Sequence, residues 1–319
     1  MRRVRWISLA LTAVVLALLA RLLWNQRDQL LSYPWQVHWP WLVFASLMHA
    51  STMGWSFLVW HLSLRRLAGR DGPSLRTNFV IYYPTLLARR VPGTVWYAAG
   101  RVWLYEQQGV ARPITLVALA LESAIIFLAG VLFFAMLLPF IGPGDSALTA
   151  WLASIPPWLA LLGIVGALVV IWPGLLEWVM NWLRRRMALP PLHLGIGYRD
   201  LLGWLGLTLI VWLTAGLGFY GIVNVVYPAG TDLLPAMLFI HTTAVLLGIV
   251  SFLVPVLPLV KEVTMTVLLA AYMPLPVTIV VAILYRVWWT LNDAAWALGA
   301  SQLGQPPAVP EEAKVGPTS

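Results

Sequence analysis

The stretch Ala88-Arg89-Arg90-Val91-Pro92-Gly93, followed by Gly100-Arg101, places charge and a proline inside sequence that is otherwise apolar enough for a membrane. Charge within a bilayer segment is costly and by default marks a functional site. Pro92 lacks a backbone donor and Gly93 permits a turn, so we expect the chain to break there. The stretch therefore predicts a charged break within the membrane.

The segments on either side of this break are too short to cross a bilayer. Residues 78–88 supply only about a dozen positions before the arginines, whereas a crossing needs roughly 20. The chain then returns over residues 94–105 and leaves near Glu106. This pattern predicts a re-entrant hairpin, in which two half-helices enter and leave the membrane on the same side.

The composition of the 319-residue chain indicates a protein whose main solvent is lipid. Hydrophobic residues make up 61% of the chain, charged residues only 10%, and there are 19 Trp. The net charge of +8 comes from Lys and Arg in short loops, which is typical of topology signals and of contact with anionic lipid rather than nucleic acid. The lack of Cys and of paired His motifs gives no basis for a metal, another cofactor or thiol chemistry. We expect an all-α, polytopic protein of the cell membrane.

Six full crossings are predicted from apolar segments of sufficient length. They cover residues 6–24, 39–64, 113–140, 156–179, 201–226 and 276–298. Residues 18–20 do not form a small-x-small cleavage site, so the first segment is interpreted as an uncleaved helix. The basic loops at 65–76 and 184–199 are expected in the cytoplasm together with the N-terminus.

A second broken segment covers residues 233–273, where an apolar run meets Pro255 and Pro258 and then Lys261-Glu262. By length it is either a second hairpin or one full crossing followed by a half-helix. A full crossing over residues 233–254 would place the C-terminal tail outside instead of in the cytoplasm.

An internal repeat favours the second hairpin. Shifting the chain by 163 positions places Val91-Pro92 on Val254-Pro255 and the crossing at 39–64 on the crossing at 201–226. Each half then crosses the membrane an odd number of times, so the second half must be inverted, as in many transporters.

The domain organisation follows from this repeat. Residues 1–300 are expected to form one membrane domain, with half-repeats at about 1–141 and 156–300. Residues 301–319 are polar and rich in Pro and Gly, which is typical of a disordered tail. No soluble catalytic module is indicated.

The segment from Leu87 to Gly109 carries an R-x-P-G pattern, a following Gly-Arg and a glycine before the next helix. In these features it resembles the membrane region of lysylphosphatidylglycerol synthases and the flippase-like membrane proteins related to them. That family carries a second signature, PGGLGxxE, followed by a helix with an embedded Arg. Residues 255–262 keep the first Pro, a basic residue and the Glu, and Arg286 follows, but all three glycines are replaced. The resemblance implies lipid translocation or lipid handling without the synthases' aminoacyl transfer.

Arginine is suited to lipid phosphate because its guanidinium is permanently charged and binds bidentately. A broken helix adds backbone donors at its N-terminal end. The candidate headgroup ligands are Arg89, Arg90, Arg101, Lys261 and Arg286. The candidate charge partners or proton carriers are Glu106, Glu122 and Glu262.

Each candidate also has a structural interpretation. The pair Arg89-Arg90 lies near a predicted cytoplasmic boundary, where long cationic side chains snorkel to the interface. Arg101 can pair with Glu106 within the hairpin, and Lys261-Glu262 can be a surface pair. Arg286 lies deep in its helix, where pairing with Glu122 or Asp293 can satisfy it.

The sequence predicts binding and transbilayer movement of an anionic lipid or a polyprenyl-phosphate-linked lipid, by alternating access at a cationic site between the hairpins. No phosphate-binding GxxxxGK[ST] loop is present, so movement would be passive or driven by an ion gradient or a partner. Two alternatives are open: a non-transporting scaffold or accessory subunit, and a membrane-embedded lipid transferase using Glu106, Glu122 or His241. The expected partners are membrane lipids, and a homo-oligomer or a partner membrane enzyme also stays open.

Overall fold

The computed structural model describes residues 21, 24, 27–69, 72–88, 95–141, 154, 156–170, 172–186, 195–253 and 260–304. Within these residues the chain is all-helical and contains no strand, as the sequence predicts. The α-helices in chain order are α1 (Arg27–Ser32), α2 (Trp39–Ala68), α3 (Leu75–Leu87), α4 (Val95–Glu106), α5 (Arg112–Leu137), α6 (Pro157–Val170), α7 (Pro173–Arg186), α8 (Tyr198–Val226), α9 (Leu234–Leu253), α10 (Val260–Leu269) and α11 (Leu275–Ser301). Short 3₁₀ turns follow α5 at Leu138–Phe140 and precede α9 at Thr231–Leu233.

Five helical segments of the described chain are long and apolar enough to cross a membrane. They are Trp39–Ala68, Arg112–Phe140, Tyr198–Val226, Thr231–Ser251 and Leu275–Ser301. Four of them coincide with predicted crossings, and Thr231–Ser251 is the segment for which a full crossing was one of the two expectations. The chain is therefore an all-helical membrane protein.

The structure differs from the single crossing predicted over residues 156–179. Two helices of 14 residues each, α6 and α7, occupy this part of the chain, and Trp172 between them is not helical. Pro173 is the physical reason, because a proline removes a backbone donor and disfavours the α conformation in the residue before it. Nearly all of the first predicted crossing, most of the tail and the two predicted hairpin tips at 89–94 and 254–259 lie outside the described residues.

Two short helices, α3 and α4, flank the predicted tip of the first hairpin and pack against each other. Helix α3 has 13 residues and α4 has 12, so each is about 20 Å long or less against a bilayer core of about 30 Å. Ser74 caps the start of α3, where its hydroxyl accepts a hydrogen bond from the Thr77 amide at 3.1 Å. The half-helices predicted at 78–88 and 94–105 are thus confirmed as helices to within a few residues.

Helices α9 and α10 also pack against each other and make a second pair. The two pairs have matching places in the chain. Helices α4 and α10 end at Glu106 and Leu269, and the next long helices begin at Arg112 and Leu275, so both intervals are 163 residues. The shift obtained from sequence identities therefore also relates the boundaries of the helices.

The chain divides into two compact units. The first contains residues 1–52, 129–166 and 212–288, and the second contains residues 53–128, 167–211 and 289–319. In the first unit, α2 and α11 contribute their N-terminal parts and α5 and α8 their C-terminal parts. In the second unit, the same helices contribute their opposite ends. The 163-residue shift relates α2 to α8 and α5 to α11. The two helices of each related pair thus contribute opposite ends to a given unit.

Glycine permits close packing of α2 and α8 in the first unit. A Cβ atom on Gly221 would lie 3.0 Å from Phe44 Cδ1 and 3.1 Å from Ala45 Cβ, whereas one on Gly206 of the same helix would have no neighbour within 4 Å. We expect Gly221→Leu to lower the free energy of unfolding by about 1–3 kcal/mol through overpacking. Gly206→Leu is the control, since both substitutions gain the same helix propensity.

Unfolding of both variants in mixed micelles measures this difference. Equal stability of the two would contradict the close contact between α2 and α8.

Candidate functional site

Arg101 on α4 is fully buried, and its guanidinium is held by polar side chains from two neighbouring helices. Its Nη1 donates to Glu122 Oε2 of α5 at 3.0 Å, and its Nε donates to Thr85 Oγ1 of α3 at 3.2 Å. Glu122 is also buried, with 5% of its side chain exposed. The site is therefore a buried ion pair between the short helix α4 and the long helix α5 that follows it.

Regular spacing along the hairpin helices brings these groups together. On α4, Tyr97, Arg101 and Tyr105 are four residues apart and so lie on one face. The residues of α3 that meet this face are Asn78, Tyr82 and Thr85. Because α3 and α4 pack against each other, these polar faces meet.

Three aromatic rings surround the guanidinium. Arg101 Cζ lies 4.2 Å from the ring centroid of Trp60, 4.6 Å from that of Tyr82 and 4.5 Å from that of Tyr97. The hydroxyl of Tyr97 donates to Glu122 Oε2 at 3.0 Å. Aromatic faces stabilise a desolvated cation, so the rings and the carboxylate together replace the water that Arg101 has lost.

A chain of hydrogen bonds fixes the orientation of the Trp60 ring. Trp60 Nε1 donates to the Tyr105 hydroxyl at 2.7 Å, and that hydroxyl donates to Asn78 Oδ1 at 2.7 Å. Asn78 Nδ2 lies 2.6 Å from His61 Nδ1, which accepts its hydrogen bond when the imidazole is neutral. All four residues of this hydrogen-bond network are buried. The aromatic ring over Arg101 is thereby preorganised by side chains of α2, α3 and α4.

One donor of the guanidinium has no acceptor among the described residues. Arg101 Nη2 is buried and makes no hydrogen bond there, whereas Nη1 and Nε are both satisfied. A buried unsatisfied donor is costly. The arrangement can therefore offer the Nη2 amino group of a fixed cation to an anionic oxygen. We call the set Arg101, Glu122, Thr85, Trp60, Tyr82 and Tyr97 the Arg101 cluster.

The first unit contains a second group of charged side chains, on α10 and α11. Arg286 Nη1 donates to Glu262 Oε1 at 3.1 Å, with 53% of the Arg286 side chain and 21% of the Glu262 side chain exposed. The Lys261 ammonium lies 4.5 Å from the ring centroid of Tyr285. The Tyr285 hydroxyl lies 2.9 Å from Nε2 of the buried His241.

The two ion pairs make the same connection with reversed charge. Each joins the second helix of a packed pair to the long helix that follows: Arg101 to Glu122 in one case and Glu262 to Arg286 in the other. Their positions are close to the 163-residue shift, under which Glu122 corresponds to Tyr285, the residue before Arg286. Arg101 corresponds under the same shift to Thr264, two residues after Glu262, so the two ion pairs lie at similar but not identical positions of their helices.

The structure places the sequence candidates as follows. Arg101 pairs with Glu122, so the alternative pairing of Arg101 with Glu106 is wrong; Glu106 pairs instead with Arg112, at 2.6 Å and in an exposed position. Glu262 is the partner of Arg286. The candidates outside the described residues are Arg89, Arg90, Pro92, Gly93, Pro255 and Pro258.

Sequence reasoning missed the uncharged members of the Arg101 cluster. Trp60, Tyr82 and Tyr97 were not distinguished from the many other aromatic residues of the chain, and Thr85 was not considered. The four-residue spacing of Tyr97, Arg101 and Tyr105 was the available signal, because it places two aromatic residues beside a membrane-embedded charge.

Comparison of the chain with protein-family models, with curated proteins and with solved structures finds no match. Within the described ranges, no three His, Asp or Glu side chains come together as a metal site. The interpretation of function therefore depends on the geometry of the two charged groups.

Proposed function

We propose that the protein moves an anionic lipid, or a polyprenyl-phosphate-linked lipid, across the cell membrane. The Arg101 cluster carries this proposal. A cation buried beside an apolar protein exterior is expensive to maintain, and here it is held by preorganised rings with one donor left over. Such a group is suited to a lipid phosphate, because arginine binds phosphate bidentately and in a fixed orientation.

The proposed architecture is an inverted repeat in which α3 and α4 form a re-entrant hairpin, with the N-terminus and the basic loops in the cytoplasm. Two observations support it. Helices α3 and α4 are each too short to cross a bilayer. In each compact unit, two helices that are related by the 163-residue shift contribute opposite ends. Transporters with inverted repeats bind their substrates at broken helices of this kind.

The proposed chemical step is an exchange of anions on Arg101. In the empty state Glu122 neutralises the guanidinium at 3.0 Å. A lipid phosphate that reaches the hairpin first accepts from the vacant Nη2 and then displaces the carboxylate from Nη1. The Trp60 ring does not need to move, because it is fixed by its own hydrogen bond to Tyr105. Release of the lipid restores the original pair.

The difference in exposure of the two ion pairs supports alternating access. The Arg101 side chain is 0% exposed, whereas the Arg286 side chain is 53% exposed. Arg286 lies near the middle of the 27-residue helix α11, where an exposed charge is tolerated only at a water-filled opening or by snorkelling. We interpret the buried pair as a closed gate and the exposed pair as an open one, with the two states exchanging during transport.

One observation favours the alternative of a non-transporting scaffold or accessory subunit. Arg101 and Glu122 are both buried and form an ion pair, as expected for a purely structural anchor between α4 and α5. A scaffold needs such an anchor to stay closed, whereas a transporter needs it to open. The two functions are therefore separated by whether lipid moves.

Lipid movement in liposomes tests the proposal. Fluorescently labelled phosphatidylglycerol is placed in both leaflets of liposomes that contain the purified protein, and dithionite is added outside. We expect label from the inner leaflet to become reducible at a rate that rises with the protein-to-lipid ratio. Protection of the inner-leaflet label, as in protein-free liposomes, would support the scaffold. A change in lipid mass, measured on the same liposomes, would support the transferase.

A further inference from the structure

A groove of about 830 Å³ lies in the second unit between the end of α2 and the start of α8. Its lining shares no residue with the Arg101 cluster. The residues at its mouth are Arg65, Arg66, Gly69, Arg199 and Asp200. The residues further along the two helices are Leu62, Gly203, Trp204 and Leu207. The groove is therefore charged where the helices end and apolar where they continue as membrane spans.

The mouth of the groove has an excess of positive charge. Its three arginines face one carboxylate, Asp200, which accepts from Arg66 Nε at 3.1 Å and from the Gly197 amide at 3.0 Å. Arg65 and Arg199 form no ion pair with a described residue. Two cations at the mouth thus have no carboxylate partner in the described chain.

The groove is long enough to hold the headgroup end of a lipid and the adjoining part of its acyl chains. Arg199 and Leu207 are eight residues apart on α8, which is about 12 Å along the helix. Leu62 lies one turn before Arg65 on α2, so the same order of charge and then apolar surface is present on both walls. Trp204 lines the groove between these levels, where tryptophan is suited to the membrane interface.

From this arrangement we infer that the groove binds one anionic phospholipid, with its phosphate between Arg65 and Arg199 and its acyl chains along Leu62, Trp204 and Leu207. A free anion would use only the charged mouth, and a zwitterionic lipid would bring an ammonium toward arginines. This site holds a lipid at the level of the headgroups and is independent of whether the protein moves lipid across the membrane.

Glycine provides a way to fill the groove without disturbing its walls. A Cβ on Gly203, which lines the groove, would meet no atom within 4 Å, and the same is true of Gly299 near the end of α11, which does not line it. Gly203→Leu therefore occupies the lipid's space, whereas Gly299→Leu is a matched control at an exposed position of α11. The charge is tested separately by Arg65→Gln with Arg199→Gln, which leaves the Arg66–Asp200 pair intact.

Native mass spectrometry of the purified protein, titrated with dioleoylphosphatidylglycerol, measures the affinity of the tightest lipid. We expect Gly203→Leu and the double arginine variant to weaken it at least about tenfold, with Gly299→Leu equal to wild type. Dioleoylphosphatidylcholine should bind weakly and equally to all four proteins. Thermal unfolding in the same detergent confirms that the compared variants are folded.

Three results would overturn the site. The first is that Gly203→Leu binds phosphatidylglycerol as tightly as wild type does. The second is that the double arginine variant does so. The third is that wild type binds inorganic phosphate as tightly as it binds the lipid. None of these outcomes depends on transport, so the site can fail while the proposed function holds, and the reverse is also true.

Discussion

Replacing Arg101 by Gln is expected to lower the free energy of unfolding by about 3–5 kcal/mol, because removing one partner leaves an uncompensated buried charge. Glu122 is 5% exposed and would lose its cation at 3.0 Å. The rings of Trp60, Tyr82 and Tyr97 would at the same time lose the cation they surround. Equilibrium unfolding in mixed micelles, with circular dichroism as the readout, measures the change.

The double variant Arg101→Met with Glu122→Leu is expected to recover most of this loss. Apolar residues of similar volume often replace a buried ion pair at little cost, because neither charge then has to be desolvated. Arg112→Gln is the control, since the Arg112–Glu106 pair is exposed and its loss should cost no more than about 1 kcal/mol. A double variant as unstable as Arg101→Gln would contradict the assignment of Glu122 as the partner.

Replacing Arg286 by Gln is expected to reduce phosphatidylglycerol movement at least about tenfold, the equivalent of one charge-assisted hydrogen bond. Its effect on stability should be small, because the pair with Glu262 is substantially exposed. The rate of label reduction in liposomes and the midpoint of unfolding are measured on the same preparation. The two readouts are expected to separate for Arg286, whereas both change for Arg101→Gln.

Arg112→Gln again supplies the comparison for this experiment, because it removes an arginine from an exposed ion pair outside the proposed pathway. It should transport at the wild-type rate. Wild-type transport by Arg286→Gln would exclude the second ion pair from the mechanism. A loss of transport in Arg112→Gln as large as in Arg286→Gln would show a general effect of surface charge.

The sequence predicted the structure well where a single residue type constrains the backbone or requires a charge partner. Pro92-Gly93 predicted a break, and packed helices are observed on both sides of it, at Leu75–Leu87 and Val95–Glu106. A charge in an apolar helix must find a partner or a cavity, and this directed attention to Arg101 and Glu122. The 163-residue shift was derived from few identical residues. The same shift nevertheless relates the end of α4 to the end of α10 and the start of α5 to the start of α11.

The sequence was less informative where the outcome depends on packing between helices. Arg101 had two carboxylates within reach along the chain, and only the contact of α4 with α5 selects Glu122 over Glu106. The rings around Arg101 belong to three helices, so no single window of sequence contains them. At Pro173 the apolar pattern continued through a backbone break, and hydropathy alone does not register the missing donor.

The exchange proposed at Arg101 is tested most directly by the initial rate of phosphatidylglycerol movement in liposomes that contain the folded double variant, Arg101→Met with Glu122→Leu. Equal amounts of wild type and variant are reconstituted, and the fraction of folded protein is matched beforehand. We predict a rate below about one tenth of wild type, since the phosphate loses its charged partner. A rate equal to that of wild type would contradict the exchange and would identify the Arg101 cluster as a structural anchor.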